Sequence, residues 1–139
     1  MKMMIVLLFY DLIERKIITK INNISITYYI WDSLVMMTKD LLLATGENKL
    51  SIINIHLHKK KRTIDVSGSS WILCVSMLNE NMLLTGDCNK RIIQWQIEGD
   101  NLQLISKKEN AHESYIITLS KIGNGLIISG SKDKYVKIW

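Results

Sequence analysis

Cysteine is scarce in this sequence, with only Cys74 and Cys88 in 139 residues. A chain of this length hides roughly 65 to 70% of its extended surface on folding, so it does not need a disulfide framework, and two thiols do not make one. A reducing intracellular compartment, cytoplasmic or nuclear, is the expectation. No internal apolar run approaches the roughly 18 residues of a membrane span, so no membrane partner is expected. The opening MKMMIVLLFY carries one lysine before a short apolar stretch that stops at Asp11 without a small-residue cleavage site, which argues against a secretory leader. No stretch keeps an apolar stripe at 3.6-residue spacing for three turns, which disfavours helix. Charge of one sign is limited to a net +5, much of it in the run Lys59, Lys60, Lys61 and Arg62. That run is too local to imply a nucleic-acid groove by itself. What remains is a composition of 47% hydrophobic and 22% charged residues, that of a soluble globular domain.

A repeat emerges when the glycines are aligned. The segments LLLATGENKLSIINI (41–55), NMLLTGDCNKRIIQW (81–95) and GLIISGSKDKYVKIW (125–139) share one frame, with Gly46, Gly86 and Gly130 at intervals of 40 and 44 residues. Fifteen residues before each glycine stands an aromatic, Trp31, Trp71 and Tyr115, and nine after it come Ile55, Trp95 and Trp139. Matched positions on both sides of the turn mark three copies of one structural unit. Each unit reads as strands: β-branched and aromatic residues in short runs, separated by GENK, GDCN and GSKD, where a glycine able to take positive φ and short polar side chains suit a tight hairpin. The last segment of each unit, KRTIDV (61–66) and LQLISKK (102–108), alternates openly and carries charge, as an outer edge strand does. Four-stranded units with a buried interior and a charged outer edge predict an all-β chain of propeller blades stacked face to face.

At this point the residues resemble the WD-repeat family, the beta-transducin-like propellers. The resemblance is closest over NAHESYIITLSKIGNGLIISGSKDKYVKIW (110–139), with a histidine, a strand, an apolar strand carrying Ser-Gly-Ser, a turn aspartate, and a strand ending in tryptophan. The Trp31-Asp32 pair is a coincidence in this frame. The resemblance implies a hydrogen-bonded structural tetrad of His112, Ser129, Asp133 and Trp139. It implies only a partial one, Thr85, Asn89 and Trp95, in the middle unit, where Gly68 replaces the histidine. The first unit has Tyr28, Thr45, Lys49 and Ile55 at these places and retains little beyond the hydroxyl. IVLLFYD and RKIITKI (15–21) resemble third and outer strands. The expected division is therefore 1–27 as the second half of a blade, 28–67 as a degenerate blade, 68–111 as a whole one, and 112–139 as a blade lacking its outer strand. Propellers close with at least about four blades and this chain supplies about three. The expectation is an incomplete propeller, a fragment or a piece completed by blades of the same parent chain or another chain, with Trp139 an interior position of the fold.

Candidate functional residues divide by how plainly each is explained. His112 could serve as a base, but a relay histidine between blades is the plainer reading, and no nucleophile constellation accompanies it. His56 and His58 would share one face of a strand, as two metal ligands could, yet no cysteine or carboxylate pair completes a site; a basic hairpin end is the plainer account, and no metal and no cofactor are expected. Cys74 reads as a small buried hydrophobe and Cys88 as a turn residue. The run Lys59, Lys60, Lys61 and Arg62, lying between third and fourth strands, reads as a basic turn, with nuclear import or phosphate binding as the sharper alternative. Trp31, Trp71 and Tyr115, recurring where each innermost strand begins, and the turn-tip residues Asn48, Cys88 and Lys132 are the candidate partner-binding set, rim packing being the bland account of the aromatics. The expected function is a non-catalytic scaffold that binds protein or peptide partners on its rim. The alternative is a nuclear, RNA-associated assembly factor acting through residues 59–62.

Overall fold

The computed structural model describes residues 5–11, 15–24, 33–46, 48–66, 70–99 and 101–139, with the backbone alone over 5–11 and 16–24. Tyr28, Trp31, Asp32 and Gly68 lie outside the described residues. Four antiparallel sheets follow one another along the chain. The first is the hairpin β1 (Ile5–Asp11) and β2 (Lys16–Ile24), and the second comprises β3 (Leu34–Met36), β4 (Leu41–Gly46), β5 (Lys49–Asn54) and β6 (Lys59–Asp65). The third comprises β7 (Ile72–Asn79), β8 (Met82–Asp87), β9 (Ile92–Glu98) and β10 (Asn101–Lys108). The fourth holds β11 (Ile116–Lys121), β12 (Ile127–Ser131) and β13 (Val136–Ile138). Each strand pairs with its sequence neighbour, so every sheet is a meander. β2 lies against β6, β3 and β4 against β7, and β7 and β8 against β11, the arrangement of successive blades in an incomplete propeller.

Strands with apolar residues on both faces are what face-to-face stacking requires. In β8, Leu83 and Leu84 are adjacent and both buried, so they point in opposite directions. Leu83 joins Leu43, Leu50, Ile52, Val75, Ile93 and Trp95 in the core between the second and third sheets, whereas Leu84 joins Cys74, Ile92, Ile116 and Leu119 between the third and fourth. The outermost strand β10 is exposed along nearly its whole length.

Three local expectations are corrected. Lys59, Lys60, Lys61 and Arg62 do not form a turn: they are the first half of the outer strand β6. The turn closes earlier, because the Asn54 side-chain oxygen accepts the N–H groups of His56 (3.0 Å) and Leu57 (2.8 Å). His58 then takes φ 51°, which puts Lys59 opposite Asn54 and Lys60 opposite Ile53, and a bulge leaves Lys61 as the extra residue. His56 and His58 therefore lie in the turn of the β5–β6 hairpin, as the plainer account has it, and not on one strand face. The glycines, finally, are not there for positive φ. In the hairpin turns of the third and fourth sheets that follow these glycines the left-handed positions are Lys90 (φ 66°) and Lys134 (φ 73°), while Gly86 and Gly130 lie outside that region. What Gly86 supplies is room: a Cβ there would stand 2.7 Å from both Cys74 Sγ and Ile116 Cγ2.

Candidate functional site

The fourth sheet builds a buried polar chain. Trp139 Nε1–H donates to Ser129 Oγ (2.8 Å), Ser129 Oγ and His112 Nε2 are 2.7 Å apart, and His112 Nδ1 is 2.8 Å from Asp133 Oδ2. A carboxylate only accepts, so Nδ1 carries the proton. In the neutral ring Nε2 then accepts the serine hydroxyl, whose lone pair takes the indole N–H. His112 and Ser129 are inaccessible, at 1% and 0% exposure, and the indole stands edge-on to the imidazole at 6.3 Å. Burial raises the Asp133 pKa. The N–H groups of Tyr135 and Glu113, 2.9 Å away each, and the His112 ring outweigh that effect and hold the carboxyl well below the usual carboxylate range. Both ring nitrogens are thus committed, and the chain ties β11's leading segment to β12, β13 and the turn between them.

The third sheet keeps one link of that chain: Trp95 Nε1–H donates to Thr85 Oγ1 at 2.9 Å. Asn89 is exposed, and its contribution is a backbone N–H to Asp87 Oδ1 (2.9 Å). The polar centre here is one that sequence reading missed. Asp87, 2% exposed, also accepts the Arg91 backbone N–H (2.9 Å), and its other oxygen takes Arg91 Nε and Nη2, at 2.7 Å each. In the aligned unit Ser131 occupies Asp87's place and its hydroxyl accepts the Asp133 N–H (3.1 Å). An aspartate directly after the frame glycine, with arginine four residues on, was the available signal. In the second sheet Thr45 Oγ1 accepts the Ser33 N–H (3.0 Å), and Lys49 pairs with Asp65 at 3.3 Å.

Along one rim the candidate binding residues are linked through the backbone. Cys88 N–H donates to the Trp71 carbonyl and Lys132 N–H to the Tyr115 carbonyl, both at 3.0 Å, so in the third and fourth sheets the hairpin tip is fastened to the aromatic that begins the innermost strand. Ala111 N–H donates to the Lys90 carbonyl (2.9 Å), joining the tip of the third sheet to the segment leading into the fourth. Trp71 and Tyr115 remain 40% and 43% exposed, and Lys132 Nζ lies 5.0 Å over the Tyr115 ring. The Cys88 thiol sits 3.4 Å from both Ser70 Oγ and the Trp71 N–H. Asn48 occupies the corresponding tip of the second sheet, where its carbonyl accepts the Val66 N–H (2.8 Å).

Other chemistry-bearing groups are tied up elsewhere. Burial pushes the Cys74 thiol up to about 12, which leaves it protonated and unreactive at neutral pH. His56 Nε2 is 2.9 Å from Asp40 Oδ1 on the surface. Among the described residues no group of three His, Cys, Asp or Glu side chains could hold a metal, and no helix is long and apolar enough to cross a membrane. An open cleft of about 240 Å³ lies between β8–β10 and the Ile127–Trp139 side of the fourth sheet.

The fold has many counterparts among solved structures. A chain of the mitotic checkpoint complex superimposes with a TM-score of 0.78 at 12% identity, covering 96% of this chain and 42% of that one. The RRP9 WD40 repeats (0.64, 21% identity) and U3-55K (0.64, 20% identity) each cover 77% of this chain, and this chain covers 34% and 35% of them. At the sequence level, the ASTRA-associated protein 1 of Debaryomyces hansenii is 40% identical over 57 residues, which are 41% of this chain and 11% of that protein. The chain thus spans less than half the length of each of these relatives. No protein-family profile matches it. Its fold is that of WD40-type propeller blades.

Proposed function

We propose that this chain is a non-catalytic interaction scaffold, part of a WD-repeat propeller that binds protein or peptide partners on the rim carrying Trp71, Tyr115, Cys88 and Lys132. In this reading 1–27, 28–67, 68–111 and 112–139 are successive blade segments, His112, Ser129, Asp133 and Trp139 act as a structural tetrad, and Thr85 with Trp95 is its remnant. The observation that carries the reading is the exposure of Trp71 and Tyr115 while their carbonyls are fastened to the hairpin tips. Large rings held out on a rigid backbone lose little entropy on binding, which is what a contact anchor needs. The commitment of both His112 nitrogens supports a structural role over a catalytic one. The test is affinity capture with the wild type and with Trp71→Ala/Tyr115→Ala at matched folding. Specifically retained proteins should fall away in the double variant, and an unchanged set refutes the reading.

A second reading rests on β6, where Lys59, Lys60, Lys61 and Arg62 are all exposed on an outer strand. If they engage RNA phosphates, affinity for an oligonucleotide falls steeply with salt and is lost when the four are neutralised.

A further inference from the structure

The rim's charge names the partner's chemistry, an inference that rests on the rim being the docking surface. Its continuity is set by hydrogen bonds: the Trp71 carbonyl to Cys88, the Lys90 carbonyl to Ala111, Asp133 Oδ2 to the Glu113 N–H, and the Tyr115 carbonyl to Lys132. On this stretch the carboxylates of Asp87 and Glu109 are paired with Arg91 and Lys107, whereas Asp133, held by backbone N–H groups and the neutral His112 ring, keeps its negative charge. Beside those two pairs, Glu113 and Asp133 stand among Lys90, Lys108, Lys132 and Lys134, so the rim of the third and fourth sheets is cationic on balance. Among these cations Lys132 is held directly over the exposed Tyr115 ring.

We propose that this rim takes an acidic peptide segment of another protein, with a leucine or phenylalanine side chain laid on Trp71 or Tyr115 and flanking aspartates or glutamates meeting Lys90, Lys132 and Lys134. A ring beside an ammonium group accepts an apolar residue next to a carboxylate better than either feature alone, because the apolar contact excludes water from the neighbouring charge pair. The rim suits a peptide over a nucleic-acid backbone because its arginine, the side chain that grips phosphate with two hydrogen bonds, is consumed by Asp87. Its lysines sit on separate hairpin tips and on the segment between them.

The experiment titrates the full chain against three labelled probes: a short peptide alternating glutamate with leucine and phenylalanine, the same peptide with glutamine for glutamate, and an oligouridine. The acidic peptide is expected to bind about tenfold tighter than its glutamine counterpart at low salt, and Lys90→Glu/Lys132→Glu/Lys134→Glu should erase that difference. Equal binding of the two peptides overturns the inference. If both then weaken with Trp71→Ala/Tyr115→Ala, the rim reading survives. Indifference of both peptides to that variant sinks the rim as well. Tighter binding of the oligouridine with the same lysine dependence overturns the inference in favour of nucleic acid, and binding of no probe overturns it outright.

Discussion

Gly86→Ala isolates the close approach of the third and fourth sheets. The added methyl would lie 2.7 Å from Cys74 Sγ on the paired strand and 2.7 Å from Ile116 Cγ2 on the neighbouring sheet, with Ile116 Cβ at 3.1 Å. Carbon contacts sit comfortably at about 3.5 to 4.0 Å, so both neighbours must give way, and both are buried, Ile116 completely. Overpacking of this kind costs about 1 to 3 kcal/mol. The backbone at Gly86 is outside the left-handed region, so alanine adopts it without strain and recovers about 0.4 to 1 kcal/mol from the unfolded chain. The expected net loss is about 1 to 2 kcal/mol by urea unfolding followed through tryptophan fluorescence, with an unchanged m-value. Cys74→Ala removes one of the two obstacles, so Gly86→Ala/Cys74→Ala should be less destabilised than the sum of the singles by about 1 kcal/mol. Gly123→Ala is the control, since nothing lies within 4 Å of its added methyl. A Gly86→Ala protein within about 0.5 kcal/mol of wild type and additive with Cys74→Ala would refute the steric argument.

The polar chain, the acid response and the turns carry further expectations. Ser129→Ala strands the Trp139 N–H and His112 Nε2 and should cost about 2 kcal/mol, whereas Ser129→Thr, the residue type at 85, should stay within about 1 kcal/mol; equal losses in urea midpoint would contradict the bridging role. Because the Asp133 pKa lies below its unfolded value of about 3.9, its stabilising contribution is complete above that pH and is lost as the pH falls through the folded value. The stability gap between wild type and Asp133→Asn should therefore be widest above about pH 4 and close below it, and a gap that persists into strong acid counts against the assignment. Arg91→Met leaves a buried carboxylate without its cation and should cost about 3 kcal/mol. The pair Asp87→Ser/Arg91→Tyr, which copies Ser131 and Tyr135, should recover most of this in denaturant titrations, and a double variant worse than Arg91→Met would show that the two turns are not interchangeable. Relief of the left-handed strain at Lys134 by Lys134→Gly should raise the unfolding free energy slightly, by about 0.5 kcal/mol in urea titrations; a decrease would mean that the lysine side chain itself stabilises the turn.

Much of this architecture is written in short-range pattern. The 40- and 44-residue spacing of Gly46, Gly86 and Gly130, the paired apolar residues such as Leu83 and Leu84, and the polar tips between them specify strands, hairpins and blades, because pleat and turn chemistry act over a few residues. The identities of His112, Ser129, Asp133 and Trp139 could likewise be picked out by alignment with the resembling motif, each standing at a fixed distance from Gly130.

Other features depended on what the fold brings alongside. Gly86 was noticed for its turn, yet what excludes a side chain there is Ile116, thirty residues away and on the next sheet. Asp87 and Arg91 look like ordinary turn charges until burial makes them a close ion pair, with two guanidinium nitrogens on one carboxylate oxygen. Lys59 to Arg62 have the composition of a solvated turn, but Asn54 closes the chain reversal first and cross-strand pairing with β5 draws the run into a strand. The rim is the same case in reverse: Trp71 and Tyr115 have core chemistry, yet the fold leaves both rings partly outside, with their carbonyls fastened to the hairpin tips. Periodicity is local and survives in one dimension, whereas the neighbour of a side chain across a sheet interface is set by packing of residues far apart in the chain, which no single stretch encodes.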